Sequence, residues 1–203
     1  MTTGRTEMLI LVRHGESLYN EANLLTGHVD TKLSNNGVRE AEAIGEELKE
    51  QRIRFDYAFT SPLSRCTQTT DIIIEKTFSV CDVVDVNRLK ERDCGDLSGI
   101  DKTEAMIKMG ERKFRAMRKS FDIPYPNGES FDDVTTRMIS WVEEELLPLR
   151  EKGHTLVVSH KHALRSLCLL LGIVNESEVL SYEIPTGKAM YVPWINLKKN
   201  ILL

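Results

Sequence analysis

Met8-Leu9-Ile10-Leu11-Val12-Arg13-His14-Gly15-Glu16-Ser17 begins as a continuous apolar run and then gives way at once to a cation, an imidazole and a glycine. A short unbroken run of this kind suits a strand covered on both faces. Two more runs match it, Asp56-Tyr57-Ala58-Phe59-Thr60 and Thr155-Leu156-Val157-Val158-Ser159, with weaker candidates at residues 82–86 and 190–192. Between them lie helical stretches with start signals. Ser34 precedes a charged amphipathic run from about Gly37 to Glu50, and Ser61-Pro62 predicts a hydroxyl N-cap followed by proline at the first helical position. Ser130 with Asp133 predicts a capping box that opens a helix from Phe131 to Arg150. Strands alternating with helices imply an α/β fold of three α/β/α layers around a largely parallel sheet. Residues 91–129 break the alternation, with one charged helical pattern from about Thr103 to Phe121 and then a turn-rich segment holding Pro124, Pro126 and Asn127-Gly128. This stretch reads as a helical excursion forming a lid on a single catalytic domain that spans residues 1–203.

Composition narrows the function. The chain has 203 residues, of which 41% are hydrophobic and 29% charged, which excludes a disordered tail or scaffold. Its 27 Lys and Arg against 31 Asp and Glu give a formal net charge of −4. Mild acidity argues against nucleic acid or an anionic membrane as a partner, but not against a small anion in a locally basic pocket. No apolar run approaches the about 18 residues of a membrane span, and residues 1–7 lack the apolar core of a signal peptide, so a cytoplasmic protein is expected. Cys66, Cys81, Cys94 and Cys168 form no C-x-x-C pair and read as free thiols.

In open α/β sheets, ligands sit beyond the carboxyl ends of strands. Two of the three strong strands deliver a histidine there, His14 and His160, and the third leads to Arg65 in the first turn of a helix. Arg13 supplies a planar cationic fork suited to a phosphoryl group, and Gly15 permits close backbone approach. An imidazole flanked by cations is a plausible phosphate-accepting nucleophile. His160-x-His162 invites a metal reading, but no carboxylate or cysteine completes the set nearby, and no metal is expected. His28 and His154 are assigned no catalytic role. Residues 196–203, with Lys198 and Lys199, read as a solvated tail.

The ordered set Leu11-Val12-Arg13-His14-Gly15-Glu16-Ser17 with Asn20, Thr26-Gly27, Leu33-Ser34, Thr60-Ser61 with Arg65, Glu91-Arg92, and His160 followed by Arg165 resembles the histidine phosphatase superfamily. Within it, residues 91–102, residues 118–124 and Ile184-Pro185-Thr186-Gly187 look like the cofactor-dependent phosphoglycerate mutases. The resemblance runs from about Met8 to Tyr191. It implies that His14 takes a phosphoryl group from 2,3-bisphosphoglycerate and returns it to a monophosphoglycerate, interconverting the 3- and 2-phosphates without a metal. Arg13, Arg65 and His160 would surround the transferring group, and Glu91 would be the general acid and base. Arg92, Lys102, Arg118 and Lys119 match positions that hold the substrate's carboxylate and phosphate, and Ser17, Asn20, Thr26 and Gly27 match the pocket wall. These mutases occur as several assemblies, so a homo-oligomer is compatible with the resemblance.

Three positions depart from the mutase pattern. Lys161-His162 stands where Gly-Asn is usual, Cys94 where a tyrosine is expected, and Arg118-Lys119 where two arginines are usual. Lys161 and His162 thereby become further candidates for substrate contact. Hydrolysis by the same phosphohistidine, a phosphatase acting on a small phosphorylated metabolite, is the rival reading. A phospho-ligand binding protein without turnover is disfavoured by the complete set Arg13, His14, Arg65, Glu91 and His160.

Overall fold

The computed structural model describes residues 6–197. Five strands form one sheet: β1 (Met8–Arg13), β2 (Tyr57–Thr60), β3 (Val83–Asp85), β4 (Thr155–Ser159) and β5 (Ala189–Pro193), in the order β3-β2-β4-β1-β5. All neighbours run parallel except β5, which pairs antiparallel with β1 at the edge. Each run read as a strand is one, and the sheet is largely parallel as expected. The edge strand β3 buries no apolar face, since Val83 and Val84 are both exposed.

The alternation of β1 builds the layers. Leu9 and Leu11 face one core, with Phe59, Val157 and the helices α6 (Phe131–Trp141) and α7 (Lys161–Leu170). Ile10 and Val12 face the other, with Ala58, Leu156, Val158 and the helices α2 (Asn35–Glu50) and α3 (Ser64–Thr77). Opposite faces of one strand serve two cores because successive side chains point to opposite sides.

Caps set most helix starts. Ser34 Oγ accepts the Gly37 N–H at 3.1 Å, and Ser130 forms a reciprocal capping box with Asp133, each contributing about 1 kcal/mol. The helix read from Phe131 to Arg150 is α-helical only to Trp141; its last turns widen into a π turn (Val142–Leu146) and tighten into a 3₁₀ turn (Leu147–Leu149). Pro148 has no N–H for the carbonyl four residues back, so the regular ladder cannot continue. Ser61-Pro62 does not start a helix: α3 begins at Ser64, after Leu63. The Ser61 hydroxyl is used elsewhere.

The excursion contains two helices where one was expected, α4 (Lys102–Met109) and α5 (Glu111–Arg118). Gly110 separates them at φ 83°, a left-handed conformation that ends one helix and turns the chain into the next. Leu25, Cys94, Leu97, Ala105, Phe114, Met117 and Tyr125 give this region a small apolar core of its own. A four-residue helix, α1 (Leu18–Glu21), and another, α8 (Glu176–Val179), complete the helices used below. Lys198 and Lys199 lie outside the described residues.

Candidate active site

The strand order does what no linear reading states: it sets β2, β4 and β1 side by side, so Arg65, His160 and His14 leave adjacent strands. The His14 N–H donates to Ser159 O at 3.0 Å, extending the parallel ladder one step past β1. The two imidazole centroids are 5.0 Å apart, close to the spacing of neighbouring strands.

His14 is buried, and its Nδ1 lies 2.7 Å from Gly15 O. A carbonyl only accepts, so Nδ1 carries the proton and Nε2 keeps its lone pair. Burial, then the charges of Arg65 and Arg13, push this imidazole down to about 3, so it is neutral and nucleophilic at physiological pH. His160 is held well below the ordinary histidine range by burial, Arg65 and His14. Its Nε2 is 2.8 Å from Ser61 Oγ and 3.3 Å from Cys66 Sγ. Burial pushes the Cys66 thiol up, so it stays protonated.

The arginines are fixed by main-chain carbonyls. Arg65 donates to Gly27 O and Val29 O, both at 2.9 Å, and Arg13 donates to Ile184 O at 3.0 Å. The Nε atoms of both are buried without a partner. Buried guanidinium donors without an acceptor are costly unless an anion meets them.

Glu91 sits in a loop held by Arg137, which donates to the carbonyls of Lys90 and Glu91 and pairs with Glu129 at 2.8 Å. Burial opposes ionisation of the Glu91 carboxyl, but His162, His160 and the Arg92 amide outweigh it and hold the group well below its usual range. Its ionised state suits it to accept a proton.

A cavity of about 780 Å³ adjoins these residues through Lys161 and His162, and Arg115, Arg118, Lys119 and Arg165 line it with Glu183. Burial, Arg118 and Arg13 lower the Lys102 ammonium, which places α4, α5 and the end of β1 within electrostatic reach of one another. The excursion thus carries its basic residues to the carboxyl ends of the strands.

Other residues read as substrate contacts are engaged within the protein. Ser17 and Asn20 form a reciprocal capping box at α1. Arg92 is 1% exposed, donates to Glu129 O and Ile123 O, and lies 4.4 Å over the Tyr125 ring, leaving only Nη1 unpartnered. Gly27 offers its carbonyl to Arg65, and Thr26 O accepts the Val29 N–H. Ser61 was missed as a site residue because its hydroxyl reads as a cap; its place at the end of β2, beside β4, was the available signal. Among the described residues, no group of three or more His, Cys, Asp or Glu side chains is arranged to hold a metal ion.

Fold and site define an α/β protein with a buried histidine pair and a cationic pocket for a phosphoryl group. The chain belongs to the histidine phosphatase superfamily (branch 1), whose family profile matches residues 9–198. A 2,3-bisphosphoglycerate-dependent phosphoglycerate mutase of Parvibaculum lavamentivorans is 40% identical over 182 residues, covering 89% of this chain and 87% of its own. One from Allorhizobium ampelinum is 42% identical over 187 residues, 91% of this chain and 89% of its own. Among solved structures, mycobacterial hydrolase 1 superposes with a TM-score of 0.79 at 25% identity, over 91% of this chain and 88% of its own. The α-ribazole phosphatase of Shigella flexneri superposes with a TM-score of 0.77 at 23% identity, over 91% of this chain and 89% of its own, a likeness of fold.

Proposed function

We propose that the protein is a 2,3-bisphosphoglycerate-dependent phosphoglycerate mutase, acting in the cytoplasm to interconvert 3-phosphoglycerate and 2-phosphoglycerate through a phosphohistidine at His14. One observation carries this reading: a neutral His14 with its Nε2 lone pair free lies within electrostatic reach of an ionised Glu91. The first attacks phosphorus, and the second takes a hydroxyl proton. Relatives about 40% identical along most of their length carry the same activity in their names.

The buried, unpartnered Nε atoms of Arg13 and Arg65 fit a highly charged phosphate ester. When bound, 2,3-bisphosphoglycerate supplies the phosphoryl group that primes the imidazole. His14 Nε2 forms the P–N bond as the ester P–O bond breaks, and the departing oxygen becomes a hydroxyl with a proton that reaches it from solvent through Glu91. Arg13 and Arg65 neutralise charge on the transferring oxygens. For return transfer, Glu91 accepts the proton of the acceptor hydroxyl as that oxygen bonds to phosphorus and the P–N bond breaks. Arg118, Lys119, Lys161 and Lys102 hold the carboxylate and the second phosphate.

Phosphorus NMR of the protein with 3-phosphoglycerate, with and without catalytic 2,3-bisphosphoglycerate, tests this. Cofactor-stimulated 2-phosphoglycerate is expected. Inorganic phosphate as the main product would replace the mutase with a phosphatase.

A further inference from the structure

Three contacts converge on one oxygen of Glu91. The Arg92 N–H donates to Oε1 at 2.8 Å, the His162 N–H donates to it at 3.1 Å, and the His162 ring Nδ1 lies 3.4 Å from it. Oε2 receives no hydrogen bond among the described residues, although the side chain is 15% exposed. We propose that His162 is a positioning residue for Glu91: its main-chain N–H and ring fix Oε1, leaving Oε2 to exchange the proton with the substrate hydroxyl. The inference rests on the acid–base role of Glu91 in the proposed reaction.

His162 is a first-turn residue of α7, two positions beyond His160, so the end of one strand brings two histidines to bear on Glu91. The charge and hydrogen bond that His162 offers at this distance lower the Glu91 carboxyl against the burial that would raise it. The pair therefore keeps Glu91 able to accept a proton to lower pH than burial alone would permit.

Other charges facing the pair do not replace this contact. His160 and the Arg92 amide also bear on Glu91, and Arg13, Arg65 and Arg165 feel its charge at longer range. On the cavity side, His162 shares the wall with Lys161 and Arg165 of its own helix and with Arg115, Arg118 and Lys119 from α5. Glu176 and Glu183 are the acids on that wall. Lys161 is engaged with Glu183 at 3.3 Å.

The test uses the 203-residue protein and the variants H162N, which removes the imidazole, and H162K, which places an ammonium there. All keep the main-chain N–H. For H162N, the acid limb of the kcat profile should move up by about one pH unit, a loss of about tenfold at its acid end, with KM for 3-phosphoglycerate changed less than about twofold. H162K should retain the wild-type limb. An unmoved limb in H162N, or a KM rise of about tenfold with kcat intact, would overturn the proposal, the latter in favour of direct substrate contact. Carbon-13 NMR of the Glu91 carboxyl, assigned with E91Q, gives an answer independent of turnover. Its titration should rise by about one pH unit in H162N and return in H162K; an unchanged midpoint overturns the coupling even if no mutase activity is found. Product identity by phosphorus NMR separately decides the mutase reading.

Discussion

The rings of His14 and His160 meet edge to face, their planes inclined by 63° and their centroids 5.0 Å apart. Burial and the adjoining arginines keep both rings neutral, so no like-charge repulsion opposes their approach. In the proposed reaction one ring attacks phosphorus while the other stands beside the transferring group, an arrangement that follows from the adjacency of β1 and β4.

His14→Ala should abolish phosphoryl transfer, a loss of about 10⁴-fold or more in kcat, while the circular dichroism spectrum stays that of the wild type. The measurement is acid-labile label on the protein after exposure to 2,3-bisphosphoglycerate carrying radioactive phosphate. Label should appear on the wild type and not on the variant. Label that persists would remove His14 as the nucleophile.

The same burial makes the fold sensitive to acid. The folded His14 sits at about 3 against an ordinary value of 6.5. Between these values the unfolded chain binds a proton that the folded protein does not, so stability falls as pH falls through that window. His160 acts with the same sign. Glu91, held below 4.5, adds its own loss at still lower pH. His14 alone should cost about 2 kcal/mol between pH 7.5 and pH 5, and His160 adds to the loss. Urea unfolding at the two pH values measures the loss, and His14→Ala should reduce it by about 2 kcal/mol.

Much of this was legible in the chain because strands announce themselves by continuous apolar runs and caps by short polar signatures. Met8 to Val12 and the Ser130–Asp133 box required no tertiary knowledge. The strand order is set by packing between distant segments, so the neighbour relation of Arg65, His160 and His14 emerged only in three dimensions. Ser61 shows the cost of local reading: a hydroxyl before proline has the same appearance whether it caps a helix or, as here, meets His160 at 2.8 Å. Arg92 shows the reverse. Its charge suggests a ligand, yet Glu129 O, Ile123 O and the Tyr125 ring occupy most of it. Gly110 divided a helical pattern whose charge periodicity runs through the break.

Gly27 holds Arg65 through its main-chain carbonyl. It adopts φ +49°, and a Cβ there would lie 2.6 Å from the Cys94 main-chain nitrogen, while its carbonyl holds Arg65. Left-handed backbone costs alanine about 1–2 kcal/mol, and the clash forces the segment away from Cys94. Gly27→Ala should therefore lower the melting temperature and also reduce kcat/KM by about tenfold or more through displaced Arg65. Normal activity in a destabilised variant would show that Arg65 does not depend on this carbonyl.

Arg118 tests whether the basic wall contributes to capture rather than to the chemical step. It is exposed at the end of α5, and its guanidinium lies 5.5 Å over the Phe114 ring. Lys102, at the start of α4, feels its charge, so the same field extends toward Arg13. A surface cation of this kind attracts an anionic substrate over about the Debye length, and salt screens that attraction. Arg118→Ala should raise KM for 3-phosphoglycerate about tenfold with kcat changed less than about threefold, because His14, Arg65 and Glu91 remain in place. The wild-type kcat/KM should also fall with ionic strength, and the variant should show a shallower dependence. Steady-state kinetics at low and high salt read both effects. A variant that loses kcat while keeping KM would place Arg118 at the transferring phosphate instead of at the entrance.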